Sequence, residues 1–271
     1  MRHSEYFTEE NRFRFIGEVR SGEEPWSILS RIGPLIQEFT ASGKGRPLVE
    51  FSDHITLHQA ILPGGHGEDR SLLVVKTFLT PSPISHEPMG IYIGAGVFLE
   101  AGAMIKGPCL VGEECEIRHG AYIRGGVITG RGCVIGHATE VKNSIVMDHS
   151  NAGHFNYLGD SVMGSWANLG AGTILANLRF RSREEILTGK IKEITASGKN
   201  GEAVRTGRSK LGAVVGDFTE IGCNTVLSPG TLIGHDCWIY PNTTAPKGRY
   251  PAGSVIRARG AGELEIAKRS P

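Results

Sequence analysis

The sequence predicts a mostly β chain wound as a three-sided parallel coil, and three observations predict it. Large apolar residues recur every six positions from Ile93 onward, and the residue four beyond each is small or β-branched. Glycine, at 38 of 271 residues, is far above ordinary usage, as a fold with many tight turns requires. A strict step of six over this length fits neither a 3.6-residue helix nor a run of hairpins, so it marks a solenoid.

Residues 1–88 lack the repeat. Trp26, Leu29, Ile32, Ile36 and Phe39 lie near helical spacing, and Pro25 suits a first helical position. Gly33-Pro34 should kink or split that segment, so one or two short amphipathic helices are expected. Leu72 to Val75 reads as a buried strand, and Thr80 to Pro88 as an extended linker. No motif in this region carries assignable chemistry.

The second region, 89–259, carries the hexads. The large inward residues are Ile93, Leu99, Ile105, Val111, Ile117, Ile123, Thr129, Ile135, Val141 and Met147. Their compact partners are Val97, Ala103, Cys109, Cys115, Ala121, Val127, Cys133, Thr139 and Ile145. The register resumes at Met163, Leu169 and Leu175, and again at Val215, Ile221, Leu227, Ile233 and Ile239. Each buried aliphatic contributes roughly 1.5–3 kcal/mol, and neighbouring coils bury what one hexad cannot. Cys109, Cys115, Cys133 and Cys237 fall at compact positions and read as inert core thiols; no pair has CxxC spacing.

Two departures from the rhythm stand out. His154 to Asp160, followed by Asn168 to Asn177, puts a base, a phenol and two amides where the repeat lapses. Residues 178–212 form a basic insertion, with nine Lys or Arg against four Glu between Arg179 and Lys210. Its alternation from Ile186 to Val204 around Ser197-Gly198-Lys199-Asn200 predicts an external β-hairpin. That hairpin is either a solvated loop or a cationic arm over a ligand cleft. Residues 260–271 read as a loose tail.

A formal charge of +1 gives no global field for nucleic acid or an anionic membrane surface. The N-terminus has no apolar leader, and no run approaches the roughly 20 apolar residues of a membrane span. A cytoplasmic protein is expected.

The hexads, with glycine after the aliphatic at Gly94, Gly112, Gly136, Gly170, Gly216, Gly222 and Gly234, resemble the left-handed parallel β-helix of hexapeptide-repeat acyltransferases. The left hand is what the resemblance implies. More specifically, Arg118-His-Gly-Ala-Tyr-Ile-Arg124, Glu140-Val-Lys142, His154-Phe-Asn-Tyr157-Leu-Gly-Asp160, Asn168-Leu-Gly-Ala171-Gly-Thr and Asn177 resemble the acetyltransferase domain of the bifunctional enzymes that make UDP-N-acetylglucosamine. Asn177-Leu-Arg179 and Thr206-Gly-Arg-Ser-Lys210-Leu-Gly are similar to the archaeal type of those enzymes. The nucleotidylyltransferase half has no counterpart, because about 90 residues without a glycine-rich nucleotide loop cannot supply it.

The resemblance implies a homotrimeric acetyltransferase that uses acetyl-CoA, with no metal, on an amino-sugar 1-phosphate. Glucosamine-1-phosphate is the expected acceptor and galactosamine-1-phosphate the alternative. His154 would take the proton of the amine, as a group that changes charge near neutral pH can, and Asn177 would orient that amine. Arg124, Lys142 and Lys210 would clamp the phosphate, with Tyr157 and Asn168 holding phosphate and sugar. Ala171, Cys223 and Pro241 would line the acetyl-CoA groove, and Arg257 would lie near its nucleotide phosphates. Two other readings compete: a non-catalytic assembly module, and a metal-dependent hydratase using His119 and His137, one coil apart.

Overall fold

The computed structural model describes residues 3–22, 24–43, 45–61, 68–259 and 263–268. From Ile91 each hexad supplies one short strand and one corner, and the strands stack into three sheets of ten, ten and nine strands. Faces 1, 2 and 3 are used here for the sheets containing Ile91–Ile93, Met104–Lys106 and Phe98–Leu99 respectively. Pairing between successive coils is parallel, as in Glu116 on Val134 and Tyr122 on Glu140. The inward positions read from the hexads, Ile93 through Ile239, form one continuous core running the length of the coil.

One stretch of that register differs from expectation. A regular coil has eighteen residues, but Val127 pairs with Ser144 and Glu140 with Tyr157, each seventeen residues on. A residue is lost at the corner of Asn143 and another at that of Asp160, and a one-residue loss exchanges inward for outward positions. Val146 therefore pairs with Thr129 and enters the core, while Ile145 and Met147, expected inside, face outward.

Ile145 and Met147 are nevertheless fully buried, because face 1 is covered. Tyr92, Leu110, Ile128, Ile145, Val162, Val214 and Leu232 form an apolar outward column on this face. The N-terminal segment lays Tyr6, Phe7, Phe13, Trp26, Ile28 and Ile36 against it. Phe13, Phe15, Phe39 and Tyr92 continue the contact edge to face, with centroids 5.7, 6.5 and 4.8 Å apart. Asp217, fully buried, pins the segment: it accepts from Thr8 N at 2.8 Å, Asn11 Nδ2 at 2.8 Å and Ser165 N at 2.7 Å.

The helices are α1 (Ile16–Ser21), α2 (Ile32–Ala41) and α3 (Arg183–Thr188). The Trp26–Phe39 segment is split as expected, into a 3-10 turn Ser27–Ser30 and α2, but the break falls at Arg31; Pro34 sits in the first turn of α2, where its missing N–H removes no helical bond. The expected linker contains a strand, Ile84–His86, pairing with Arg46–Pro47 and Ile91–Ile93. Leu72 and Val74 are buried in the strand Glu68–Val74, as expected, but Val75 lies beyond its end and is exposed. The tail is not loose throughout: Glu263–Lys268 pairs antiparallel with Ser254–Arg259.

The insertion leaves the stacking intact, since Val162 pairs directly with Val214 across it. Its hairpin is shorter than expected, Thr195–Ser197 on Ala203–Arg205. The preceding residues form α3 because Ser182 and Glu185 make a reciprocal capping box. Burial of Ile194 and Ala196 in the face 1 cluster folds the hairpin back onto the coil, so it is not a solvated loop.

Candidate functional site

The candidate residues divide between face 2, face 3 and the corner joining them. His119, His137 and His154 occupy successive rungs of that corner, followed by Ala171, Cys223 and Pro241. His119 Nδ1 donates to Ala101 O at 2.6 Å and His137 Nδ1 to His119 O at 2.9 Å. Their rings stack with centroids 5.6 Å apart and planes 11° apart. The column then changes. Phe155, in left-handed backbone with φ 54°, turns its ring edge-on against His137 at 5.3 Å. The exposed His154 imidazole makes no side-chain hydrogen bond among the described residues. Its backbone is fixed: His154 N donates to Asn156 Oδ1 at 3.1 Å, and the buried Asn156 donates to Gly170 O at 2.8 Å.

Face 2 carries the charges. Lys106, Arg124 and Lys142 form one outward column, a cation per coil and roughly 4.8 Å between rungs. Lys106 is paired with Asp69 at 2.6 Å and Arg124 with Glu140 at 2.6 Å, and both cations lie over the Tyr122 ring. The Glu140 bond raises the Arg124 pKa. Lys142 is half-buried and has no partner among the described residues.

The next rung is Gly159, and the reason is steric. A Cβ there would come within 2.5 Å of Asn177 Nδ2 and 2.6 Å of Tyr157 Oη, so those two groups fold over the vacant position. Asn177 Nδ2 donates to Asp160 Oδ2 at 2.7 Å, and Arg208 Nη2 reaches Asp160 Oδ1 at 3.2 Å. Burial, then the charges of Glu140 and Asp160, push the Tyr157 phenol up, and Arg124 and the Asn177 bond partly offset them. Lys210, two residues beyond Arg208, ends the insertion half-buried, its ammonium without a partner among the described residues.

Face 3 carries the rest. Asn168 Nδ2 donates to Glu220 Oε2 at 2.9 Å. Beside it lies a groove of about 540 Å³, lined by Gly170, Gly222, Cys223, Trp238, Tyr240 and Pro241. Arg257 lies on the same face, with Nε donating to Glu265.

The structure thus brings Arg124, Lys142, Tyr157 and Asn177 together on face 2. Asn168 does not join Tyr157, since the two stand on different faces. Nor does Asn177 meet His154: Asn177 is level with Asp160 at the far end of the strand Tyr157–Gly159, and His154 precedes its near end. Sequence reasoning left Glu140, Asp160 and Arg208 without roles; a Gly-Asp pair at a corner, following the tyrosine, was the available signal. Among the described residues no group of three or more His, Cys, Asp or Glu could hold a metal.

A family model described as the GMPPB C-terminal domain matches residues 91–200. A bifunctional sugar-1-phosphate nucleotidylyltransferase/acetyltransferase from Sulfurisphaera tokodaii is 40% identical over 102 residues, 38% of this chain and 23% of that protein. The bifunctional protein GlmU of Synechococcus elongatus is 32% identical over 157 residues, 58% of this chain and 25% of that one. The solenoid resembles the hexapeptide-repeat helix of these bifunctional proteins. The chain spans about a quarter of the length of the curated relatives it matches. Among solved structures, a mutant perosamine N-acetyltransferase from Caulobacter crescentus, in complex with CoA and GDP-perosamine, matches 58% of this chain and 57% of that one, at 15% identity and a TM-score of 0.39.

Proposed function

We propose that the chain transfers an acetyl group from acetyl-CoA to the amine of an amino-sugar 1-phosphate, with glucosamine-1-phosphate as the acceptor. The observation that carries the reading is the one unengaged imidazole of the corner among the described residues, His154, between a face that carries Arg124 and Lys142 and a face with an apolar groove. The likeness to sugar-1-phosphate nucleotidylyltransferase/acetyltransferases supports it.

In this reading His154 takes a proton from the attacking amine, the amine nitrogen bonds the thioester carbonyl carbon, and the carbon–sulfur bond breaks. The imidazolium then returns the proton to the departing thiolate. Lys142 and Lys210, whose ammonium groups have no partner among the described residues, bind the phosphate, with Arg124 and Tyr157 beside them. Ala171, Cys223, Pro241 and Arg257 follow the acyl carrier along face 3. Because the two residue sets occupy different faces, we place the complete site between neighbouring copies of a cytoplasmic homotrimer. Asn168 of one copy there approaches face 2 of the next.

The test is thiol release from acetyl-CoA with glucosamine-1-phosphate, run beside galactosamine-1-phosphate and a His154→Ala variant, with sedimentation of the same protein. Release that requires the amino sugar and collapses in the variant is expected, from a trimer. Silence with both sugars from a folded trimer would instead favour a non-catalytic assembly module, and a monomer at micromolar concentration would remove the shared site.

A further inference from the structure

We propose that Asp160 is a positioning residue: it sets which way the Asn177 amide faces and, through Arg208, ties the end of the 178–212 insertion to the site. The inference rests on the acetyl-transfer reading above.

Asp160 closes face 2 at a left-handed corner with φ 48° and is 3% exposed. A carboxylate so buried is costly unless it is paired and hydrogen-bonded. Three groups meet it: Asn177 Nδ2 at 2.7 Å, Arg208 Nη2 at 3.2 Å and Asn143 Nδ2 at 3.5 Å. None of the three belongs to the hexad core.

An ionised carboxylate only accepts hydrogen bonds, so it decides an orientation that an amide alone leaves open. Asn177 must turn its NH₂ toward Asp160. The other N–H of that group faces the Tyr157 phenol, which shares the space above Gly159. Both donors are then committed and Oδ1 is turned away from Asp160. In the proposed reaction, whose site lies between copies, an outward acceptor on one copy takes an N–H of the amine that the neighbouring copy's His154 deprotonates, and so aims the nitrogen lone pair; an outward NH₂ would repel that N–H.

The second arm of the carboxylate acts on the insertion. Arg208 holds Asp160 with Nη2 while its Nε donates to Lys210 O at 3.3 Å. One buried charge therefore fixes both the Asn177 amide and the backbone that presents Lys210. Asp160 itself touches neither proposed substrate.

The experiment measures kcat and KM of the full chain from pH 6 to 9 with acetyl-CoA and glucosamine-1-phosphate. The variants are Asp160→Asn, Asp160→Asn combined with Asn177→Asp, and Arg208→Ala. Hydrogen exchange of residues 205–212 is followed in each. Asp160→Asn is expected to lose about 30-fold or more in kcat, with KM for acetyl-CoA within about twofold, because the new amide lets Asn177 turn over. The double variant is expected to regain at least about fivefold, since it exchanges donor and acceptor but keeps an oxygen facing outward. Arg208→Ala is expected to raise KM for the sugar phosphate by about fivefold and to speed exchange at 205–212.

A kcat for Asp160→Asn within twofold of the parent, or a double variant no better than the single, overturns the positioning role. Should Asp160→Asn not fold, Arg208→Ala alone decides the tie, and unchanged exchange overturns it. A parent chain without activity defeats the acetyl-transfer reading instead, and exchange at 205–212 then still tests the tie.

Discussion

Face 1 and face 2 share one interior and differ only in the residues that point outward. On face 1 the middle residue of each strand is apolar, from Tyr92 through Leu110, Ile128 and Ile145 to Leu232, and the chain spends its first forty or so residues covering that column. On face 2 the corresponding outward positions are Tyr122, Arg124, Glu140, Lys142 and Tyr157, which are polar or charged and half-buried or exposed. The hexad core fixes that a coil forms. The outward residues decide whether a face becomes an internal interface.

The widest separation expected between structural and functional positions is at the corner. His154→Ala should lower the rate of thiol release by about 10²–10⁴-fold, as removal of a general base does, with no change in melting temperature. His137→Ala, which removes a stacked ring and the bond to His119 O, should lower stability by about 1 kcal/mol and leave the rate within a few-fold. Equal rate losses in the two variants would erase the distinction between rungs.

Between the faces themselves, Ile145→Ala should cost about 2–5 kcal/mol, because the cavity opens under the N-terminal segment and cannot collapse. Lys142→Ala should change stability by less than about 0.5 kcal/mol and act on KM for the sugar phosphate. Urea unfolding and steady-state kinetics on the same two variants check both. Asp217→Ala follows at about 3 kcal/mol, since it leaves the buried amide of Ser165 and the part-buried amide of Thr8 without an acceptor. Proteolysis within residues 3–43 should then precede global unfolding.

The core was legible because it is periodic. Every large inward residue from Ile93 to Val141 is where a step of six put it, and the error begins only at Ile145 and Met147, after the seventeen-residue coil. A one-residue loss at Asn143 leaves no mark in composition, and both misassigned residues are apolar, so the pattern looked continuous. The corner and face 2 residues were legible through motif resemblance, but their division between faces was not, since it depends on which side of the triangle each hexad occupies. Contacts across long sequence separations, such as Arg208 on Asp160 or Asn11 on Asp217, leave no local signature at all.

In the insertion the hairpin is present as expected, but α3 before it is unexpected, for a more local reason. Ser182-Arg-Glu-Glu185 is a helix start, and the alternation that followed it was read instead as strand. Glu185 anchors this piece: Arg179, then the backbone amides of Lys192 and Ser182, hold its carboxyl well below the usual carboxylate range. A depressed carboxylate adds stability above its unfolded pKa and loses it as pH falls through the folded one. Protection of residues 183–193 from hydrogen exchange should therefore stay constant from pH 7 to about 5, and weaken only in stronger acid. Glu185→Gln should lose that protection at every pH.

The smallest effect expected concerns the thiols, and it sharpens the contrast between inside and outside without altering the protein. Cys109, Cys115, Cys133 and Cys237 are fully buried at compact inward positions, whereas Cys223 is exposed at the corner below Ala171. Burial pushes the Cys109 thiol up to about 12 and Cys237 up to about 11, so neither supplies thiolate near neutral pH. In the native chain at pH 8, a soluble disulfide reagent should therefore titrate one thiol, and all five after unfolding. If Cys223 lines the groove that takes acetyl-CoA, the ligand should slow its modification. Modification unaffected by saturating acetyl-CoA would move the acyl carrier off this corner, while leaving the assignment of the other four cysteines to the core untouched.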